Sequence, residues 1–212
     1  SWGNKRWKGI CKGLCVRIGL GLPWPVRMEE TNMDTAVWEL AKRAFHIESE
    51  SILQTVQALD AGAFGKAVDA LASAGKVGTS GCGHSGIACM HFAHSLCCIE
   101  KPARFLSPSE AVHGASGFLG VGDVLVLASR GGQTAELLPI ADICHGKGGT
   151  VIGIMENPHS PLGVKSDIIL GIRVLRECDR HDSQGTTSFA VMNALFDALQ
   201  TALVEVLAFS ND

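Results

Sequence analysis

The sequence predicts an α/β fold with a flavodoxin-like, doubly wound sheet of five parallel strands covered by helices on both faces. Apolar runs of strand length alternate with helix-like segments over residues 75–209, the pattern of a parallel sheet. Two of these runs end in glycine-rich turns, the place where doubly wound sheets bind ligands. The 212 residues, 46% hydrophobic and 18% charged, suffice for one domain with a substantial core.

Two extra helices are predicted before the first strand. Asn32-Met33-Asp34 is typical of an N-cap, and apolar side chains recur at helical spacing after it, which predicts a helix over 34–59. A second helix, over 61–74, ends at Gly75. The first of these helices and the last helix of the chain are too apolar to face only solvent, so an oligomer formed by helix packing is expected.

The remaining elements alternate between strand and helix, and glycine or proline marks several of their ends. The pattern predicts, in chain order, a strand over 76–80, a helix over 85–98 followed by Pro102, a strand over 103–106, a short helix or loop over 110–116, a strand over 123–128, a helix over 133–145 closed by Gly146, a strand over 150–155, a helical turn over 158–164, a strand over 168–172 and a long apolar helix over 186–209.

A turn rich in glycine and hydroxyl groups, Ser129-Arg130-Gly131-Gly132-Gln133-Thr134, follows the strand over 123–128; we call it the second glycine turn. Its glycines let the backbone approach an oxyanion, its hydroxyls donate to one, and a helix N-terminus would add its dipole. A solvated loop is the simpler interpretation, but this composition at a strand-to-helix junction favours anion binding. Arg130 either adds a charge to the site or points to solvent.

The first glycine turn, Gly81-Cys82-Gly83-His84-Ser85-Gly86, follows the strand over 76–80. It matches a dinucleotide fingerprint only loosely, because its third glycine comes too early and no acid ends a strand about 20 residues on. The alternatives are a tight turn without a ligand, a dinucleotide site, and a site for a phosphate or a sugar, which the sequence favours.

Three ionisable residues are candidates for proton transfer. Glu136 stands in the first turn of a predicted helix, where it either stabilises the helix dipole or acts as a base beside the anion site. His113 precedes Gly114 in a loop and is either structural or a proton carrier. Glu177 follows the last strand, inside a charge run that could simply be solvated and mutually paired.

Cysteine and histidine crowd into residues 82–98, but their spacing matches no standard structural zinc pattern. Core packing, with a substrate-facing His84, is favoured over a metal site. The eight cysteines, two of them adjacent at Cys97 and Cys98, do not form a disulfide framework. Reduced thiols and a cytoplasmic location are therefore expected.

Residues 1–27 carry six basic side chains and no acid, whereas the whole chain has a net charge of −3. We expect a basic arm, either native or an upstream segment before Met28, with a single domain over 28–212; Arg17 and Pro23-Trp24-Pro25 speak against a signal peptide. The overall charge gives no case for nucleic acid, and no apolar run reaches membrane-spanning length, so neither nucleic acid nor a membrane is expected as a partner.

Taken in order, four segments resemble the sugar isomerase (SIS) domain family, most closely its arabinose-5-phosphate isomerase group. They are Gly81–Gly86, Ser109–Gly114, Ser129–Glu136, and Glu177 followed by Thr186-Thr187-Ser188, and the resemblance spans about 75–208. It implies a three-layer α/β/α sandwich, a homotetramer whose sites combine residues of several subunits, a phosphorylated sugar as substrate, and no cofactor.

The resemblance also implies roles for individual residues. The family's phosphate-binding hydroxyls map onto Ser129, Thr134, Thr186, Thr187 and Ser188, its catalytic carboxylates onto Glu136 and Glu177, and its loop histidine onto His113. Beside these, the two glycine turns themselves offer His84 as a further catalytic candidate, and Gly83, Ser85, Arg130, Gly131 and Gln133 as candidate contacts to the substrate or its phosphate. Two positions depart from the family pattern: His84 stands where a lysine is usual, and Gly131 where a serine is usual. The family's His-Pro-Gly-Gly segment and paired regulatory modules have no counterpart in these 212 residues.

The expected function is that of an aldose–ketose isomerase acting on a phosphorylated sugar through a cis-enediol. The alternative from another class is a module that binds a sugar phosphate without converting it, which the change to His84 favours. A metal-assisted isomerase that uses the Cys/His cluster is the third interpretation. The retained carboxylates Glu136 and Glu177 favour the enzyme, since a sensor needs only phosphate and hydroxyl contacts.

Overall fold

A computed structural model describes residues 33–210 and contains a five-stranded parallel sheet in the order β2-β1-β3-β4-β5. This is the doubly wound order that the sequence predicts, and the α/β fold class is confirmed. The described residues from Glu39 onward form one compact unit. The basic segment 1–27 and its boundary at Met28 lie outside the described residues and stay predictions.

The strands and helices lie close to their predicted positions. The strands are β1 (Val77–Gly81), β2 (Ala103–Phe105), β3 (Val124–Ala128), β4 (Thr150–Met155) and β5 (Ile168–Gly171). The α-helices are α1 (Met33–Ala58), α2 (Ala61–Ser73), α3 (Gly83–Cys98), α4 (Pro108–Val112), α5 (Leu138–Gly146), α6 (Pro161–Val164) and α7 (Thr187–Val206), and two 3-10 turns cover Ala115–Phe118 and Ala135–Leu137.

Helices cover both faces of the sheet, because alternate residues of the buried strands point to opposite sides. One core lies between the sheet and α2, α3 and α7, where the rings of Phe92 and Phe196 stack with centroids 4.4 Å apart. The other core includes Leu125, Leu127 and Ile140 and lies under α4 and α5. The helices that follow β1 and β3 thus lie on opposite faces, which makes the junction of these two strands the topological switch point.

Helix α7 is the one helix in the described part of the chain that is long and apolar enough to cross a membrane by length and composition. Its apolar side chains, Phe196 and Leu199 among them, pack into the core beside α2 and α3. A core helix of a globular domain meets the same two criteria, so this finding is weak evidence for a membrane.

The helix expected over 133–145 differs at its start. A 3-10 turn covers Ala135–Leu137, and the α-helix begins at Leu138. Pro139 accounts for the difference, because proline lacks an N–H and fits only the first turn of an α-helix. A 3-10 turn therefore separates the second glycine turn from the α-helix that was expected to contribute its dipole directly.

The end of β1 and the start of α3 approach closely through two glycines. A Cβ atom on Gly86 would lie 2.5 Å from the carbonyl oxygen of Gly81, and one on Gly81 would lie 2.9 Å from the amide nitrogen of Gly86. A side chain at either position would force the strand and the helix apart. This contact fixes the first glycine turn against the carboxyl end of β1.

Gly86→Ala should lower the free energy of unfolding by about 1–3 kcal/mol, because an added methyl group overpacks a backbone contact. Gly65 also lies within a helix, and a Cβ atom added there would have no neighbour within 4 Å, so Gly65→Ala is the matched control. The control should be neutral or stabilise by up to about 1 kcal/mol, since alanine favours helix. Urea denaturation measures both, and equal effects would contradict the proposed close contact.

Candidate active site

An open cavity of about 400 Å³ lies at the switch point, beside the carboxyl end of β1. Strand β1 pairs with β3 from Val77 opposite Val124 to Gly81 opposite Ala128, so the two strands end side by side. The cavity is lined by Gly81, Cys82, Gly83, Gly86, Met90, Phe105, Ser107, Pro108, Ser109 and Glu136. Glycine backbone, hydroxyls and one carboxylate therefore meet around a space of the size of a small-molecule site.

The first glycine turn forms the floor of this cavity. Gly83 adopts a φ of 56°, in the left-handed region that favours glycine, and begins α3. His84 is exposed, with its ring centroid 6.2 Å from that of Phe189 in α7. Ser85 is half-buried on the same helical turn. The N-terminus of α3 offers backbone N–H groups at this point, and these favour an anionic or hydroxyl-rich ligand.

The second glycine turn is held in a fixed conformation. Gly132 has a φ of 66°, and a Cβ atom there would collide with the side chain of Ser160. The hydroxyls of Ser129 and Thr134 lie 2.8 Å apart, within hydrogen-bond distance. Among the described residues, the N–H groups of Gly131, Gln133 and Thr134 find no backbone or side-chain acceptor. Unpaired amides beside two hydroxyls can hold an oxyanion.

Glu136 follows this turn and reaches the cavity. It is exposed and lines the cavity, and its carboxylate makes no hydrogen bond or ion pair with any residue of 33–210. Burial raises the pKa of the Cys82 thiol, and the negative charge of Glu136 raises it further, which places the carboxylate near the first glycine turn. Glu136 is thus a carboxylate with free lone pairs at the cavity, able to accept a proton.

Arg130 is paired with carboxylates, and its side chain is 32% exposed. Its Nε donates to Glu156 Oε2 at 2.9 Å, its Nη1 donates to Glu177 Oε1 at 3.0 Å, and Asp182 lies 4.0 Å from Nη1. Burial lowers the pKa of the guanidinium, but the hydrogen bond to Glu156 and the three negative charges outweigh it, so the pKa is raised. Arg130 is therefore a permanent cation that hydrogen-bonds two carboxylates and lies near a third.

Glu177 is the buried member of this group, with its side chain 3% exposed. Its Oε1 accepts from Arg130, and its Oε2 accepts from the Thr186 hydroxyl and from the Ser188 N–H, each at 3.2 Å. The carboxylate thus lies at the N-terminus of α7, where the helix dipole stabilises a negative charge. In this structure the Thr186–Ser188 segment, predicted to bind phosphate, bonds the Glu177 carboxylate through the Thr186 hydroxyl and the Ser188 N–H.

The loop between Glu177 and α7 is organised by Asp179. Its carboxylate accepts the N–H groups of His181, Ser183 and Gln184 at 2.8–3.0 Å. These bonds lower the pKa of Asp179 to about 2, and the bond from the Gln184 N–H contributes most. The loop therefore keeps its shape at neutral pH through local bonds, and it presents Glu177 to Arg130.

The remaining candidates lie at different places. His113 is exposed at the end of α4 and does not line the cavity. The Thr187 hydroxyl is buried and lies 3.3 Å from Cys178 Sγ. Sequence reasoning missed Glu156 and Ser107, and it gave no role to Ser109, which begins one of the family-like segments. The position of Glu156 directly after β4 was the signal that could have indicated it.

The Cys/His cluster does not converge on one point. Within residues 33–210 no three side chains of His, Cys, Asp or Glu lie together as a metal site would require. Cys89 is buried and donates to the Ser80 carbonyl, and its burial raises the thiol pKa to about 12. His94 and Cys98 lie 3.5 Å apart on the exposed side of α3.

Comparison with known proteins gives consistent matches. The SIS domain matches residues 70–202. Arabinose 5-phosphate isomerase KdsD of Pseudomonas aeruginosa is 34% identical over 140 residues, which are 66% of this chain and 43% of that protein. The chain spans about half the length of the curated relatives it matches.

Two solved structures share the fold over most of their length. A Listeria monocytogenes protein, provisionally described as a sugar-phosphate isomerase, superposes with a TM-score of 0.80 at 36% identity, covering 84% of this chain and 93% of that one. An Escherichia coli CFT073 protein in complex with arabinose 5-phosphate superposes with a TM-score of 0.78 at 29% identity, covering 84% and 95%.

The proximity of Glu136 to Cys82 can be tested without any substrate. Iodoacetamide should modify Cys82 more slowly than the exposed Cys97 near pH 8, because the thiolate is the reacting form and the Cys82 pKa is raised. Glu136→Gln removes one cause of that rise, so it should lower the pKa and accelerate modification of Cys82 while Cys97 reacts as before. Peptide mass spectrometry gives both rates; an unchanged ratio would contradict the proximity.

Proposed function

The chain belongs to the SIS domain family, and on this premise we propose that it is an aldose–ketose isomerase of a phosphorylated sugar, similar to arabinose 5-phosphate isomerase. The supporting observation is the cavity at the switch point, where an unpaired carboxylate, Glu136, faces the first glycine turn. In the chain, Glu136 comes directly after the second glycine turn. The relatives that carry isomerase names support the same class. No cofactor is required, because isomerisation only moves protons and bonding electrons within the sugar.

The second glycine turn would bind the phosphate. The unpaired N–H groups of Gly131, Gln133 and Thr134 and the hydroxyls of Ser129 and Thr134 provide donors without a positive side chain. The first glycine turn, with Gly83, Ser85 and His84, would bind the sugar hydroxyls, assisted by Ser107 and Ser109. A ligand held between the turns would place its reacting carbons beside Glu136.

The proposed reaction begins with the open-chain aldose. Glu136 takes the proton from C2, and the C2–H electrons form a C1=C2 double bond. The C1=O π electrons move to the C1 oxygen, which takes a proton from a general acid of the site, giving a cis-enediol. Glu136 then returns its proton to C1 while the C2 hydroxyl gives its proton back to the conjugate base of that acid, giving the ketose. His84 would polarise the carbonyl or bind a hydroxyl, and Glu177 and His113 would serve in ring opening and proton transfer.

Because His113 is exposed and does not line the cavity of its own chain, a catalytic role would require it to reach the cavity of a neighbouring subunit. Helix α1 also exposes large apolar side chains, Phe45, Leu53 and Val56, with exposed fractions of 62–69%. We propose a cytoplasmic homotetramer with sites shared between subunits. Analytical ultracentrifugation tests the tetramer independently of any activity.

The decisive experiment separates binding from conversion. Pentose, hexose and heptose phosphates are screened by thermal shift, and every stabilising sugar is then assayed for turnover and for exchange of its C2 hydrogen with solvent. Conversion with exchange supports the isomerase and the enediol. Tight binding by calorimetry without turnover would instead establish a sugar-phosphate sensor. Activity unchanged by chelation would eliminate the metal-assisted route.

Glu136→Gln should lower kcat by about 100-fold or more, because positioned acid–base groups contribute about 10²–10⁴-fold. Binding of the sugar phosphate should stay nearly unchanged, since the amide keeps the size of the side chain. Glu205→Gln is the matched control, because Glu205 is an exposed glutamate near the C-terminal end of α7. Full activity in Glu136→Gln would remove Glu136 from the mechanism.

Thr134→Val should raise KM about tenfold or more, since a hydrogen bond to a charged group is worth about 1.5–3 kcal/mol. Valine keeps the shape of the side chain and removes only the hydroxyl. Thr201→Val, an exposed site whose hydroxyl bonds only to the Asp197 carbonyl, serves as the control. Equal KM values in both variants would place the phosphate elsewhere.

A further inference from the structure

Arg130 connects the ends of three neighbouring parts of the sheet. It follows β3, its Nε donates to Glu156 directly after β4, and its Nη1 donates to Glu177, which lies beyond β5. Glu156 is itself fixed, because its Oε1 accepts the N–H of Val174 at 3.0 Å. Glu156 thus fixes the orientation of the Arg130 guanidinium, and the guanidinium in turn holds Glu177.

The charges around Arg130 make it a poor ligand for a phosphate. Glu156 and Glu177 each accept one of its N–H groups, and Asp182 lies 4.0 Å away. One positive charge therefore faces three negative ones, and a phosphate dianion brought to the same place would be repelled by the excess. The donors of the second glycine turn are available without this repulsion.

Glu177 depends on Arg130 for its position. The carboxylate is buried, with Oε2 bonded to α7 and Oε1 bonded to Arg130. Without the guanidinium, Oε1 would be a buried charged acceptor with no partner, an arrangement that is strongly unfavourable. The carboxylate would then turn away from α7 towards solvent, and the segment 176–186 that carries it would move.

We propose that Arg130 is a positioning residue, which holds Glu177 at the N-terminus of α7 and does not bind the substrate phosphate. The kinetic part of this inference depends on the proposed function, because Glu177 takes part in the proposed reaction. The geometric part does not, since the network of Glu156, Arg130 and Glu177 exists without a substrate.

The test compares Arg130→Gln, which removes the charge, with Arg130→Lys, which keeps it but loses the planar fork of donors. Arg130→Gln should lower kcat at least tenfold. KM and the Kd for inorganic phosphate should both stay within about twofold of the wild-type values, because the phosphate donors remain. Arg130→Lys should recover part of kcat. Thr134→Val is the control with the opposite expected effect: it should raise KM and retain the larger part of kcat.

A second readout needs no activity. Hydrogen exchange in peptides covering 176–188 should be faster in Arg130→Gln than in the wild type, because the Ser188 N–H loses its acceptor when Glu177 moves. Peptides from the middle of α7 should be unchanged. If the wild type converts no sugar phosphate, the proposed function fails, and the exchange measurement still tests the positioning role.

Two results would overturn the inference. A Kd for inorganic phosphate weakened tenfold or more in Arg130→Gln, with unchanged exchange in 176–188, would make Arg130 a phosphate ligand. Unchanged exchange together with unchanged kcat would show that Glu177 holds its position alone. If Arg130→Gln does not fold, Arg130→Lys and Glu156→Gln, which removes the charge that orients the guanidinium, are judged by the same two readouts.

Discussion

The adjacency of β1 and β3, whose following helices lie on opposite faces of the sheet, is the constraint on which the candidate site depends. Because the chain leaves the two strand ends in opposite directions, a crevice opens between them that no side chain has to fill. Gly81 and Gly86 let α3 start directly against the strand end, and Gly132 lets the other turn pass Ser160. Without these approaches, the two turns would be farther from each other and from Glu136.

Much of this arrangement could be predicted from the sequence, because it depends on local patterns. The short apolar run Val124–Ala128, with a glycine turn directly after it, predicts a buried strand, and that turn lies where a doubly wound sheet binds ligands. The start of the following helix was predicted at Gln133, which is too early, since Pro139 limits the α-helix to Leu138 onward. Such a boundary depends on one residue inside an otherwise continuous pattern.

The partners of Arg130 could not be predicted in this way. Glu156 and Glu177 lie 26 and 47 residues along the chain, and they meet Arg130 only because the carboxyl ends of parallel strands share one edge of the sheet. In the sequence, Glu177 stands among charges of both signs that could pair with one another. In the structure, Arg176 donates to backbone carbonyls and the Asp179 carboxylate accepts backbone N–H groups. These neighbours therefore do not pair with Glu177, which bonds to Arg130.

The two carboxylates assigned to the proposed reaction consequently differ in what they can do. Glu136 is exposed in the cavity with unpaired oxygens, whereas both oxygens of Glu177 are occupied by donors in a buried site. A group that must accept and return a proton needs free lone pairs and room to move, and a group that must hold a charge in place needs fixed donors. In the proposed reaction this contrast favours Glu136 as the group that carries the proton between C1 and C2. Glu177 would act from a fixed position, held by Arg130 and by the N-terminus of α7.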